Sequence, residues 1–114
     1  MSGFKVRIPG KLIKVKNNVK DFDADWVSIS LGKDSFFIYI SLGGNSLSRV
    51  YWKGHRKGPS AKLLVKFNDN KHMITVNSYK IIFNKENIYN KIKQKATYYK
   101  LFEDNTNYIK FDYN

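Results

Sequence analysis

Apolar residues fall on every second position through most of this chain, and that period decides its class. In Phe4-Lys5-Val6-Arg7-Ile8, the residues Phe4, Val6 and Ile8 share one face while Lys5 and Arg7 share the other. The alternation returns in Lys11 to Lys16, Trp26 to Leu31, Phe36 to Leu42 and Ala61 to Phe67. Leu47 to Lys53 is another strand candidate, and His72 to Val76 and Tyr79 to Phe83 continue the meander. Turn formers stand between these runs, among them Pro9-Gly10, Gly32-Lys33-Asp34-Ser35, Gly43-Gly44-Asn45-Ser46, Asn68-Asp69-Asn70 and Asn77-Ser78. Short strands with frequent turns predict an all-β domain, mainly antiparallel: a small barrel or sandwich of about eight short strands.

One helix breaks the pattern, near residues 85–96. Ile88, Ile92 and Ala96, with Tyr89, form a stripe at helical spacing; Asn84 suits the cap and Glu86 the first turn. The aromatic tail reads as two more strands, Tyr98 to Phe102 and Tyr108 to Tyr113, around a turn at Asp104-Asn105-Thr106-Asn107. The 114 residues make one β-rich domain, 1–114, long enough to bury a core of its own.

Two local expectations follow. Pro9-Gly10 suits the centre of a type II turn, so residues 4–8 and 11–16 are expected to pair as a hairpin with a basic outer face. Type II turns match the twist of two-residue hairpins poorly, which leaves a wider connection as the alternative. Phe36 to Leu42 is apolar on both faces at first and is expected to be a central, largely buried strand.

Charge is segregated along the chain. Twenty-one cations oppose nine acids, a net +12. Residues 1–20 carry six cations and no acid, and so do residues 35–68; Asp21, Asp23, Asp25 and Asp34 lie between them. Such segregation favours a basic face and an anionic partner. Lysine supplies 18 of the 21 cations and shares AT-rich codons with the plentiful asparagine, isoleucine, tyrosine and phenylalanine. Genome composition is therefore the competing explanation.

The leading candidate site is Arg49 to Pro59, RVYWKGHRKGP. There Arg49, Lys53, His55, Arg56 and Lys57 are suited to phosphates, and Tyr51 or Trp52 to stacking on a base. For Trp52 the core is the plainer reading, since large aromatics on strands are usually buried. Gly54, Gly58 and Pro59 suit a protruding loop. Lys5, Arg7, Lys14 and Lys16 on the expected hairpin form a second cluster, for which edge protection by lysine is an equal explanation. Lys91 and Lys95, a like-charged i,i+4 pair on the helix, form a third.

Other chemistry finds little support. There is no cysteine, which excludes disulfides and thiolate zinc sites. Asp21-Phe22-Asp23-Ala24-Asp25 alternates like the opening of a calcium loop, but Trp26 and Gly32 stand where that loop needs glycine and glutamate. A polar loop is preferred there over a Mg²⁺-dependent nuclease. His55 and His72 are too few for a metal site, and neither a nucleophile elbow nor a phosphate-cradling glycine motif is present. No cofactor, no metal and no catalysis are expected. The start has no apolar signal core and no run approaches a membrane span, so a cytoplasmic protein without a membrane partner is expected.

The leading expectation is thus a non-enzymatic nucleic-acid-binding protein with weak sequence preference, DNA or RNA. The alternative is a small phage- or mobile-element-encoded accessory protein that binds and modulates a host protein. The aromatic, near-neutral C-terminal end suits such a contact.

Overall fold

The computed structural model describes residues 3–43, 49–55, 62–103 and 106–112. Its strands are β1 (Phe4–Pro9), β2 (Ile13–Lys16), β3 (Asp21–Phe22), β4 (Ala24–Leu31), β5 (Ser35–Leu42) and β6 (Arg49–His55). They are followed by β7 (Lys62–Asn68), β8 (Met73–Val76), β9 (Tyr79–Phe83), the helix α1 (Glu86–Tyr98) and β10 (Tyr108–Asp112). All pairings are antiparallel, in two sheets ordered β1-β4-β5-β6 and β10-β7-β8-β9-β2-β3. The expected all-β class with one late helix is what the chain forms.

The expected N-terminal hairpin does not form. β1 pairs with β4, from Phe4↔Leu31 to Pro9↔Trp26, whereas β2 pairs with β3 and β9. Residues 4–16 and 21–31 are instead the two arms of one long hairpin. Its tip is closed where Asn17 Oδ1 accepts from the backbone N–H groups of Val19 and Lys20. Both arms bend, at the 3-10 turn Gly10–Leu12 and at Asp23, and so pass from one sheet into the other. Strands that bend between sheets make the corners of such packings. Gly10 is what permits this corner: a Cβ there would lie 1.7 Å from the carbonyl oxygen of Ala24. The Pro9-Gly10 signal marks a bend within a strand, and the turn that reverses the chain is at residues 17–20.

Followed through the bent arms, the ladder runs β6-β5-β4/β3-β1/β2-β9-β8-β7-β10. Its two ends approach each other where Gly54 on β6 packs on Phe111 of β10, a Cβ on Gly54 lying only 2.6 Å from the ring. Gly54 was expected in a protruding loop; it is buried and pairs with Phe36. The inward rows meet as one core, with Ile38, Ile40, Val65, Phe67, Ile74 and Ile81 all fully buried.

The helix closes one end of this core with the buried face Tyr89, Ile92 and Ala96. Tyr89 lies edge-on to Phe67 at 6.1 Å. Asn84 does not cap the helix. Lys85 is the N-cap without a side-chain bond, and Asn84 Nδ2 donates to the Lys11 carbonyl at 3.3 Å instead. The C-terminus runs past the expected stop to Tyr98. It closes with Leu101 N–H donating to Ala96 O at 3.0 Å and Lys100 N–H to Thr97 O at 2.9 Å. Among the described residues no strand occupies 98–102, because this helix ending takes up those backbone groups.

Candidate functional site

Each strand of a sheet offers alternate residues to one side, so the register decides which side chains become neighbours. On the outer side of β1-β4-β5-β6 the register sets three rows. The first is Lys5–Ser30–Phe37–Lys53, the second Arg7–Ser28–Tyr39–Tyr51, and the third Pro9–Trp26–Ser41. Lys5 and Arg7 of the expected second cluster therefore share a face with Tyr51 and Lys53 of the expected leading site. They stand on opposite margins, three strand spacings or about 14 Å apart.

Three rings stand between those margins, and a fourth, Tyr51, stands on the β6 margin. Trp26 stacks on Tyr39 at 4.9 Å and 25°, and the Arg7 guanidinium lies 4.1 Å from the centre of the Trp26 ring. Tyr51 meets Tyr39 edge-on at 6.3 Å and Phe37 edge-on at 4.9 Å. The result is a continuous file, Arg7–Trp26–Tyr39–Tyr51–Phe37, across the sheet. Trp26, Phe37 and Tyr39 are half-buried, whereas Tyr51 is 53% exposed. Lys5, Arg7 and Lys53 are exposed, and no acid stands in the three rows. Asp25, at the bulge beside Trp26, is exposed and makes no ion pair with Arg7.

Other expected site residues lie elsewhere. Trp52 turns inward, 9% exposed, and meets Tyr79 edge-on at 5.2 Å. It belongs to the core and leaves the candidate face. Lys14 and Lys16 are on the outer side of the other sheet, separated from Lys5 and Arg7 by the corner at Gly10. Lys16 lies in the row Asp21–Lys16–Lys80–Thr75–Lys66–Tyr108, with its Nζ 3.9 Å from Asp21. Lys91 and Lys95 are exposed on the helix, where the Lys95 ammonium is 5.4 Å from the Tyr98 ring. The side chains of Arg49 and His55, and Arg56, Lys57, Gly58 and Pro59 entirely, lie outside the described residues.

Sequence reasoning missed Trp26, Phe37 and Tyr39 as members of a surface. Their signal was present, since Trp26 alternates with Val27 alongside Ser28 and Ser30, and Phe37 and Tyr39 alternate with buried neighbours. Alternation names two faces of β5 and does not say that only one of them is covered.

A second polar cluster sits at the helix. Tyr89 Oη donates to Asp69 Oδ1 at 2.9 Å, Lys93 Nζ donates to Asp69 Oδ2, and His72 Nε2 is 3.9 Å from Glu86 Oε1. The Lys93 ammonium, aided by the Tyr89 hydroxyl, holds the Asp69 carboxyl below its ordinary value against a smaller opposing effect of burial. Burial, then the Asp69 carboxylate, pushes the Tyr89 hydroxyl above its own. Every polar group here has a partner, which is the chemistry of a fastening. Among the described residues no three His, Asp or Glu side chains converge as metal ligands, and no helix is long and apolar enough to cross a membrane.

The outer face of β1-β4-β5-β6 is thus the surface whose chemistry is least explained by folding alone. Comparison with protein-family models, with curated proteins and with solved structures yields no match to this chain.

Proposed function

We propose that this protein binds nucleic acid, with weak sequence preference and without catalysis, on the outer face of β1-β4-β5-β6. The observation that supports it is the file of rings from Trp26 to Phe37, flanked by exposed Lys5, Arg7 and Lys53. Aromatic side chains left half-open on a sheet give up part of the stabilisation that burial would bring. A base laid on such a ring recovers it, at about 1–3 kcal/mol per base, and the marginal cations neutralise phosphates and release their counterions. Lys14, Lys16, Lys66 and Lys80 on the other sheet add to the long-range attraction. A cytoplasmic setting, that of the host cell if the chain is phage-encoded, fits the lack of cysteine.

Fluorescence anisotropy with labelled DNA and RNA, titrated from about 50 to 200 mM salt, tests this. Binding that falls steeply with salt is expected, and the double variant Lys5→Glu, Lys53→Glu weakens it for every sequence alike. Absence of binding at the lowest salt overturns the proposal.

A second reading, a host-protein partner, draws on the same face, because Trp, Tyr and Arg are the residues that dominate protein interfaces. It predicts a complex that keeps its affinity as salt rises, formed with a protein and not with a polyanion.

A further inference from the structure

We infer that the strand bound on this face is unpaired, and that Tyr51 is the ring on which a base stacks. The inference rests on the nucleic-acid reading above and narrows it to a substrate class.

Geometry argues against a duplex. A two-stranded ribbon fits a major groove about 12 Å wide, but this face is four strands across, about 14 Å before side chains are added. The N-terminal ribbon that would have fitted does not exist, because β1 and β2 lie in different sheets. A duplex held outside its grooves presents sugar and phosphate to the centre of the face. That centre is where three of the rings stand, Trp26 on β4 and Phe37 and Tyr39 on β5. Apolar rings against an anionic backbone lose water on both sides and gain no stack. An unpaired strand offers the faces of its bases, and every base has one.

The rings differ in what they have left to offer. Trp26 is covered twice, by Tyr39 on one side and by Arg7 over its ring. Neither neighbour stacks parallel on Tyr51, with Phe37 at 89° to it and Tyr39 at 79°, and it is the most exposed of the four. With no parallel ring on it and the most open surface, it is the platform left for a base. Lys53, two residues along the same strand and on the same face, stands where the phosphate beside a stacked base would lie. Trp26 has a different role: it seats the Arg7 guanidinium over its ring at the far margin, so that a cation is already placed for the backbone.

The test compares one labelled single strand, as DNA and as RNA, with the duplex built from it, at fixed salt. Wild type is expected to hold the single strand at least about tenfold more tightly, the equivalent of one stacked base. Tyr51→Ala is expected to cut single-strand affinity by about 5- to 150-fold while leaving the salt slope unchanged. Tyr51→Phe, which restores the ring, recovers most of the loss. Tyr51→Leu, which keeps an apolar contact with Phe37, does not recover it, and this separates stacking from damage to the fold. Suppose the duplex binds as well as the single strand, Tyr51→Ala changes nothing, and charge reversal at Lys5 and Lys53 still weakens both. The unpaired-strand inference is then overturned while nucleic-acid binding stands. No binding by any of the probes overturns both.

Discussion

Tyr89, a ring with no solvent exposure, donates its hydroxyl hydrogen to the half-exposed carboxylate of Asp69 at 2.9 Å. This bond ties the helix to the turn between β7 and β8, and Lys93 from the next helical turn secures the same carboxylate. The helix closes the end of the core through Tyr89, so the fastening determines how firmly that end is shut.

Its pH dependence has two limbs of opposite origin. Asp69 titrates lower in the folded chain than in the unfolded one, so its contribution is complete above about pH 4 and is lost as pH falls further. Tyr89 titrates higher when folded, so its contribution is complete below about pH 10 and is lost as pH rises beyond that. Thermal melts across pH should show the deficit of Asp69→Asn narrowing below pH 4 and that of Tyr89→Phe narrowing above pH 10. At neutral pH, Tyr89→Phe should cost about 1 kcal/mol, since the freed carboxylate can be rehydrated. A Tyr89→Phe deficit that is flat up to pH 11 would show that the bond is not formed in solution.

Gly54→Ala should destabilise the fold by about 1–3 kcal/mol. The new methyl group would fall 2.6 Å from Phe111, itself buried and 6.0 Å from Phe36, so there is no open space into which the ring can retreat. Denaturant unfolding measures this, and a midpoint equal to wild type would show that β6 and β10 do not meet.

Lys100→Gly should have the opposite sign. Lys100 holds φ at 54°, where an L side chain crowds its own backbone, and it occupies the helix ending that glycine usually fills. A gain of up to about 1 kcal/mol is expected in the same assay.

Trp26→Ala should weaken nucleic-acid binding although Trp26 has little free surface, because Arg7 loses its seat. In a double-mutant cycle, Arg7→Ala should cost less in the Trp26→Ala background than in wild type, by about 0.5–1 kcal/mol. Additive losses in the anisotropy titration would separate the two residues' roles.

What the sequence made legible was whatever depends on neighbours in sequence. Period two placed Ile8, Val27, Ile29, Ile38, Leu63 and Ile81 in the core, and period 3.6 placed Tyr89, Ile92 and Ala96 there. Partnership was not legible. Residues 4–8 find residues 27–31 because the Gly10 corner points β2 away from β1, and that corner depends on the distant Ala24 carbonyl. Tyr98 to Phe102 carries strand-prone aromatics, yet the helix continues to Tyr98 because Leu101 buries its side chain on closing the last turn. For the candidate face, the cations were visible one by one, and so was Tyr51. That Lys5 and Arg7 share a surface with Tyr51 and Lys53 follows only from β1 and β6 being the two margins of one sheet.

The bent hairpin also sets an order of events during synthesis. One whole sheet, β1-β4-β5-β6, is encoded within the first 55 residues and is joined by hairpins and one bent ribbon. The layer that must cover its apolar side is completed only when β9 reaches β2, where Ile13 meets Phe83, and when β10 reaches β7, where Tyr108 meets Lys66. Contacts between residues so far apart in sequence form slowly. A nascent chain of this protein therefore carries Phe36, Ile38 and Ile40 incompletely covered until β10 brings Phe111 against Phe36. In that interval its folding yield, more than its final stability, is what crowding and chaperones act upon.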